Sequence, residues 1–133
     1  MLISGLANAT PNTKGKMKKE VLEKNLIVRL TFEFSLDVID YCEILEEKRR
    51  FVIANQLLKS GTSIGANVWE AQNAESKNDF IHKFKIAAKE MDETEYWLLL
   101  CNHSKKYPKD ETLLEKLESI SKVINKIIAS SKK

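Results

Sequence analysis

Histidine, cysteine, proline and glycine are all scarce in this chain, and each shortage closes a class of readings. Two prolines and four glycines are spread over 133 residues. Pro11 and Pro108 leave the stretch between them without a proline, which argues against many short strands and tight turns and for long helices. The two histidines, His82 and His103, are too few for a histidine-built metal cage. Cys42 and Cys101 stand far apart, with no metal-ligand spacing. Inside helical patterns such thiols act as small buried apolar groups, and they point to a reducing, cytoplasmic compartment. No apolar run approaches the roughly 20 residues that span a bilayer, so the membrane is not an expected partner. Neither sign of charge dominates: 22 Lys and Arg against 19 Asp and Glu give a net charge of +3. That mixed surface is compatible with nucleic acid without requiring it.

What is present is apolar periodicity. A 43% hydrophobic share is enough for the core of one domain and no second one. Residues 1–18 read as a flexible, lysine-bearing tail, with Met17 a candidate start of the helical part. Ala7-Asn8-Ala9 imitates a signal-peptidase site, but no basic residues precede it and Ser4 and Gly5 interrupt the apolar stretch, so it is not read as a leader. A helical domain is then predicted over residues 19–130, with helices at about 19–46, 49–74, 77–105 and 110–130.

The first helix has Ile27, Leu30, Phe34, Tyr41 and Leu45 on one stripe and Val28, Phe32, Leu36 and Ile39 on another. The second turns Ala54, Leu57, Leu58, Gly61, Ile64, Gly65 and Val68 to the core, its glycines letting a neighbouring helix come close. The third alternates strictly through Phe80, Phe84, Ala87, Met91, Thr94, Leu98 and Cys101, with Ile86, Tyr96, Trp97 and Leu100 beyond that stripe. The fourth repeats the spacing in Leu113, Leu117, Ile120, Ile124 and Ile127. Short connections make successive helices antiparallel, so the fold expected is all-α, an up-down-up-down four-helix bundle. The surplus apolar positions Val28, Phe32, Leu36, Ile39, Ile86, Tyr96, Trp97 and Leu100 are candidates for a homo-oligomer interface.

Several motifs imitate chemistry. Gly61-Thr62-Ser63-Ile64-Gly65 matches the hydrolase nucleophile elbow letter for letter, but that motif needs a strained strand-to-helix turn, and this one falls inside a helical repeat. Glu90, Asp92, Glu93 and Glu95 lack the Glu-x-x-His partners of a carboxylate-bridged metal site and read as a solvated face. Cys101 and His103, two apart on a helix, point to different faces. No catalytic residue, metal, cofactor or small-molecule substrate is expected.

Two polar groupings remain. An up-down-up-down order would bring Lys48, Arg49 and Arg50 beside Lys105, Lys106 and Lys109, six cations able to meet phosphates. Glu46, Glu47, Asp110 and Glu111 dilute them. Along the second helix, Lys59, Ser63, Asn67 and Glu70, with small Ala66, form a polar face away from Leu57 and Leu58.

The run from Gln56 through Gly61-Thr62-Ser63-Ile64-Gly65-Ala66-Asn67 to Trp69-Glu70-Ala71, followed by Ser76, Phe80, Lys83, Ala87, Lys89-Glu90, Glu93-Thr94 and Tyr96-Trp97-Leu98, resembles the bacterial four-helix-bundle family, also called the 23S rRNA intervening-sequence protein family. The family's serine, asparagine and glutamate pattern is represented here by Ser63, Asn67 and Glu70, and its aromatic position by Phe80; Ala71 stands where many members have glycine. The resemblance implies a four-helix bundle. It further implies a pentameric ring like that of the related accessory variability determinant of diversity-generating retroelements, which binds nucleic acid and a reverse transcriptase. The function expected is that of a non-enzymatic, cytoplasmic homo-oligomer contacting RNA or an RNA-processing protein. The competing reading is a structural or protein-interaction module.

Overall fold

The apolar spacing forms helices throughout. The computed structural model describes residues 19, 20 and 22–132, and among them every regular element is helical and no strand is present. The four long helices are α1 (Leu26–Glu47), α2 (Phe51–Ala71), α3 (Lys77–His103) and α4 (Glu111–Ser131). Residues 19, 20 and 22–24 are also helical, ahead of α1. The tail expected over 1–18, with Met17, lies outside the described residues.

Helix boundaries follow capping chemistry. The first helix was expected to run unbroken from residue 19, but Asn25 interrupts it: at φ −99°, ψ 106° its side chain accepts from Val28 N and starts α1 anew. Asparagine is among the best residues for that role because its short carbonyl reaches an otherwise unpartnered helix N–H. Its amide also donates to Gln72 Oε1 at 3.0 Å, tying the start of α1 to the end of α2. α2 begins at Phe51 rather than 49 because Arg49 adopts a left-handed φ of 62°, where no helix can continue. Ser76 caps α3 through Asp79 N, and Asp110 caps α4 through Thr112 N and Leu113 N.

Each helix packs on its neighbours in the chain, and α1 also meets α4, so the four enclose one core; α1 with α3 and α2 with α4 make no such packing. Phe34, Leu45, Leu57, Ile64, Phe84, Leu98, Leu113, Ile120 and Ile124 are among the largest fully buried side chains. Each contributes about 1.5–3 kcal/mol on leaving water, offset by the entropy of ordering the chain.

The α1–α2 seam is set by two glycines. A Cβ on Gly61 would lie 2.9 Å from Val38 Cγ1, and one on Gly65 would lie 3.1 Å from both the Thr31 carbonyl oxygen and Ser35 Oγ. This close approach corrects one expectation. Val28, assigned to an outer face, is only 1% exposed and belongs to the core. It lies one helical turn before Thr31, on the side that α2 covers at Gly65. Leu58 is corrected the other way. Expected in the core, it sits exposed at the rim of the α1–α2 seam, two turns before Gly65. Across the α2–α3 seam the buried Thr94 Oγ1 and Ser60 Oγ are hydrogen-bonded at 2.9 Å. Among the described residues no helix is long and apolar enough to cross a membrane.

Candidate nucleic-acid interface

The two connections that carry the predicted cations meet at one end of the molecule. At the end of α1, the Lys48 and Arg50 N–H groups donate to the Ile44 and Leu45 carbonyls, and Arg49 N donates to Glu46 O, so the turn into α2 is closed by backbone bonds alone. From the other side come residues 104–110. Their anchor is the Tyr41 hydroxyl, which donates to the Pro108 carbonyl at 2.6 Å. Asn102 and Asp110 exchange hydrogen bonds between side chain and backbone, at 3.5 and 3.1 Å. The two connections touch where the Arg50 guanidinium carbon lies 5.0 Å from the centroid of the Tyr107 ring, within the reach of a cation–π contact.

The six cations do not play equal parts. Lys48, Arg49, Lys105 and Lys106 are exposed. Lys109 is exposed as well, and its ammonium also donates to the Ser104 carbonyl and to the Cys101 carbonyl (3.4 Å), acceptors left over at the end of α3. Arg50 is half-buried, and its Nε is buried with no hydrogen-bond partner. No ion pair or hydrogen bond of its side chain occurs among the described residues. Of the nearby carboxylates, Asp110 is occupied in capping α4.

Beneath this end lie three groups with dissociable protons, and all are held neutral. Burial pushes the Cys42 thiol up to about 12, and its Sγ lies 3.4 Å from the Ala54 carbonyl oxygen. Burial also raises Cys101, partly countered by the neighbouring Tyr41 hydroxyl, and it raises the Tyr41 phenol far above its ordinary value. Thiols without thiolate character are poor nucleophiles and poor metal ligands. Among the described residues, no group of three histidine, cysteine, aspartate or glutamate side chains is placed to hold a metal ion.

The polar stripe of α2 runs beside α3. Ser63 donates to Lys59 O at 2.6 Å and Asn67 donates to Ser63 O at 2.8 Å, both back onto their own helix. Glu70 pairs with Lys83 of α3 at 2.9 Å, and that hydrogen bond raises the lysine's pKa. Ser63 thus sits on a regular helix, not on the strained turn of a nucleophile elbow.

Apolar surface remains outside. Of the interface candidates, Leu36, Ile39, Tyr96 and Leu100 are exposed, while Phe32, Ile86 and Trp97 are half-buried. The Trp97 indole donates to Glu93 (3.3 Å) and meets the Tyr96 ring edge-on at 5.4 Å. Sequence reasoning missed Phe51 (55% exposed), Val52 (75%) and Leu99. The signal was available: Val52 lies seven residues before Lys59, so it extends the polar face of α2 rather than its core stripe. A groove between α1 and α4, with a volume of about 230 Å³, is lined by Leu30, Phe34 and Ile120 and by the Lys116–Asp37 ion pair (2.6 Å).

Comparison with known proteins agrees on one lineage. No curated protein matches the chain. A crystal structure of a protein of unknown function from the S23 ribosomal protein family, from Bacteroides thetaiotaomicron, is 38% identical, with a TM-score of 0.72 over 77% of this chain and 97% of that one. The sequence pattern of the 23S rRNA-intervening sequence proteins matches residues 23–126, which takes in α1, α2, α3 and most of α4. The chain belongs to the 23S rRNA-intervening sequence protein family.

Proposed function

We propose that this protein is a non-enzymatic, homo-oligomeric binding protein of the cytoplasm, an antiparallel up-down-up-down four-helix bundle whose basic end contacts RNA or an RNA-processing protein. The observation that carries the reading is the meeting of the two basic connections, through Arg50 on Tyr107 and Tyr41 on Pro108. That meeting supports a common surface for Lys48, Arg49, Arg50, Lys105, Lys106 and Lys109, which come from distant parts of the chain. Asn25 on Gln72 joins the start of α1 to the α2–α3 connection, which supports the antiparallel order. The family's own name refers to an intervening sequence of 23S rRNA, in keeping with an RNA partner. The relation expected between this family and the accessory variability determinant of diversity-generating retroelements is the reason to expect a ring of five.

Phosphate contacts release condensed counterions, so affinity for a structured RNA will fall steeply as salt rises. Neutralising Arg49, Arg50, Lys105 and Lys106 together by glutamine will weaken binding further and flatten the salt dependence, read by fluorescence anisotropy at several salt concentrations. An affinity indifferent to both changes removes the RNA reading. The exposed apolar residues favour a second reading, a protein-interaction module. It predicts that association with a protein partner survives nuclease treatment.

A further inference from the structure

The basic end carries several exposed cations and one that is laid against an aromatic ring, and that group is Arg50. Lysine side chains and free arginines lose rotamer freedom when they bind, whereas a guanidinium already laid against an aromatic ring has lost much of it beforehand. Arg50 satisfies that condition through Tyr107. Tyr107 is itself flanked by Pro108, whose carbonyl Tyr41 holds, and by a loop that Lys109 and Asn102 tie down. The Arg50 Nε is buried without a partner and closed to a ligand, which leaves the two terminal nitrogens as the fork, and the side chain has no anionic partner among the described residues. A planar, pre-oriented fork with no internal anion matches two oxygens of a single tetrahedral anion.

We propose that Arg50 is the fixed phosphate fork of this end: it engages one phosphate group bidentately, while Lys48, Arg49, Lys105 and Lys106 supply the surrounding field. The assignment rests on the RNA reading above and sharpens it, since it makes one position geometric where the others are electrostatic. A phosphate is favoured over a carboxylate because five further exposed cations lie on the same two connections, and a phosphate carries more charge over more oxygens than a carboxylate does. The phosphate can belong to a polynucleotide or to a small phosphate ester, and the experiment separates the two.

The full chain is titrated with a labelled RNA hairpin, and separately with inorganic pyrophosphate while the backbone amides of residues 48–53 and 104–109 are followed by NMR. Arg50→Lys keeps the charge and loses the fork, so its RNA affinity should fall about tenfold, as expected for loss of a charge-assisted bidentate contact. Tyr107→Leu, which frees the guanidinium, should weaken binding in the same direction. Tyr107→Phe, which keeps the ring, should bind like the parent. Lys105→Gln should mainly lower the salt dependence. Thermal melting by circular dichroism verifies folding, and should Arg50→Lys fail to fold, the two Tyr107 variants carry the test.

Parental affinity in both Arg50→Lys and Tyr107→Leu overturns the fork and leaves the RNA reading intact. Amide shifts with pyrophosphate but no RNA binding would sink the RNA reading and support a fork for a small phosphate ester. Binding of neither probe, or of an acidic peptide in place of both, overturns the fork together with the RNA reading.

Discussion

Tyr41, Cys42 and Cys101 place three dissociable protons inside the core, and the consequence is a dependence of stability on pH. Each has a folded-state pKa raised by burial, Cys42 to about 12. Such a group contributes fully below its unfolded pKa, near 8.5 for a thiol and 10 for a phenol, and the contribution is lost as pH rises through the folded value. In the window between, the unfolded chain has released protons that the native chain retains, so stability falls as pH rises. The midpoint of urea unfolding should therefore drop progressively from about pH 9 upward. Cys42→Ala should make that decline shallower, whatever it does to stability at neutral pH. A midpoint level across that range refutes the argument. The sequence had placed both cysteines in helices as buried apolar groups; it held no sign of Tyr41 reaching Pro108, because that contact joins residues 67 apart.

At the level of elements, the α1–α2 seam gives the sharpest expectation. Gly61→Ala gains about 1 kcal/mol of helix propensity, yet the new methyl would press on Val38, a stiff β-branched side chain with no exposure. Overpacking of that kind costs about 1–3 kcal/mol, so a net loss of about 1 kcal/mol should appear in chemical denaturation. Combining it with Val38→Ala makes room for the methyl, and the pair should be less destabilising than the sum of its parts. A strictly additive pair would place the close approach elsewhere. The glycines were legible in the sequence as packing residues, as were the stripes of α3 and α4, whose core positions recur by threes and fours. Less legible was the sidedness of α1 and α2. Val28 and Leu58 changed places between core and rim because the missing side chains of Gly61 and Gly65 bring α2 down onto Val38, and onto Thr31 and Ser35, respectively, and periodicity alone carries no information about which neighbour comes closest.

For the whole molecule, exposed Leu36, Ile39, Phe51, Val52, Tyr96, Leu99 and Leu100 leave apolar surface on three helices. Light scattering on the pure protein should report an oligomer, and Val52→Glu with Tyr96→Lys should lower its mass while circular dichroism stays helical. A parental protein that scatters as a monomer ends the homo-oligomer proposal. The basic end was legible in part. Charge runs after the first and third helices marked its residues, and short connections suggested that they meet. That Lys109 caps α3 and Arg50 lies on Tyr107 depends on loop geometry, for which a charge pattern has no signature.

The three connections, Lys48–Arg50, Gln72–Ser76 and Ser104–Asp110, also bear on the order in which the chain assembles. Each joins helices that are neighbours in sequence, so those pairings close small loops at little entropic cost. The α1–α4 contact is different: Lys116 reaches Asp37 across 79 residues. Helices α1, α2 and α3 can gather through local pairings alone, and the closing of α4 against α1 is the step that must wait for the others. The rate at which this protein folds should thus depend less on its length than on a single long-range closure, made at the seam between its first and last helices.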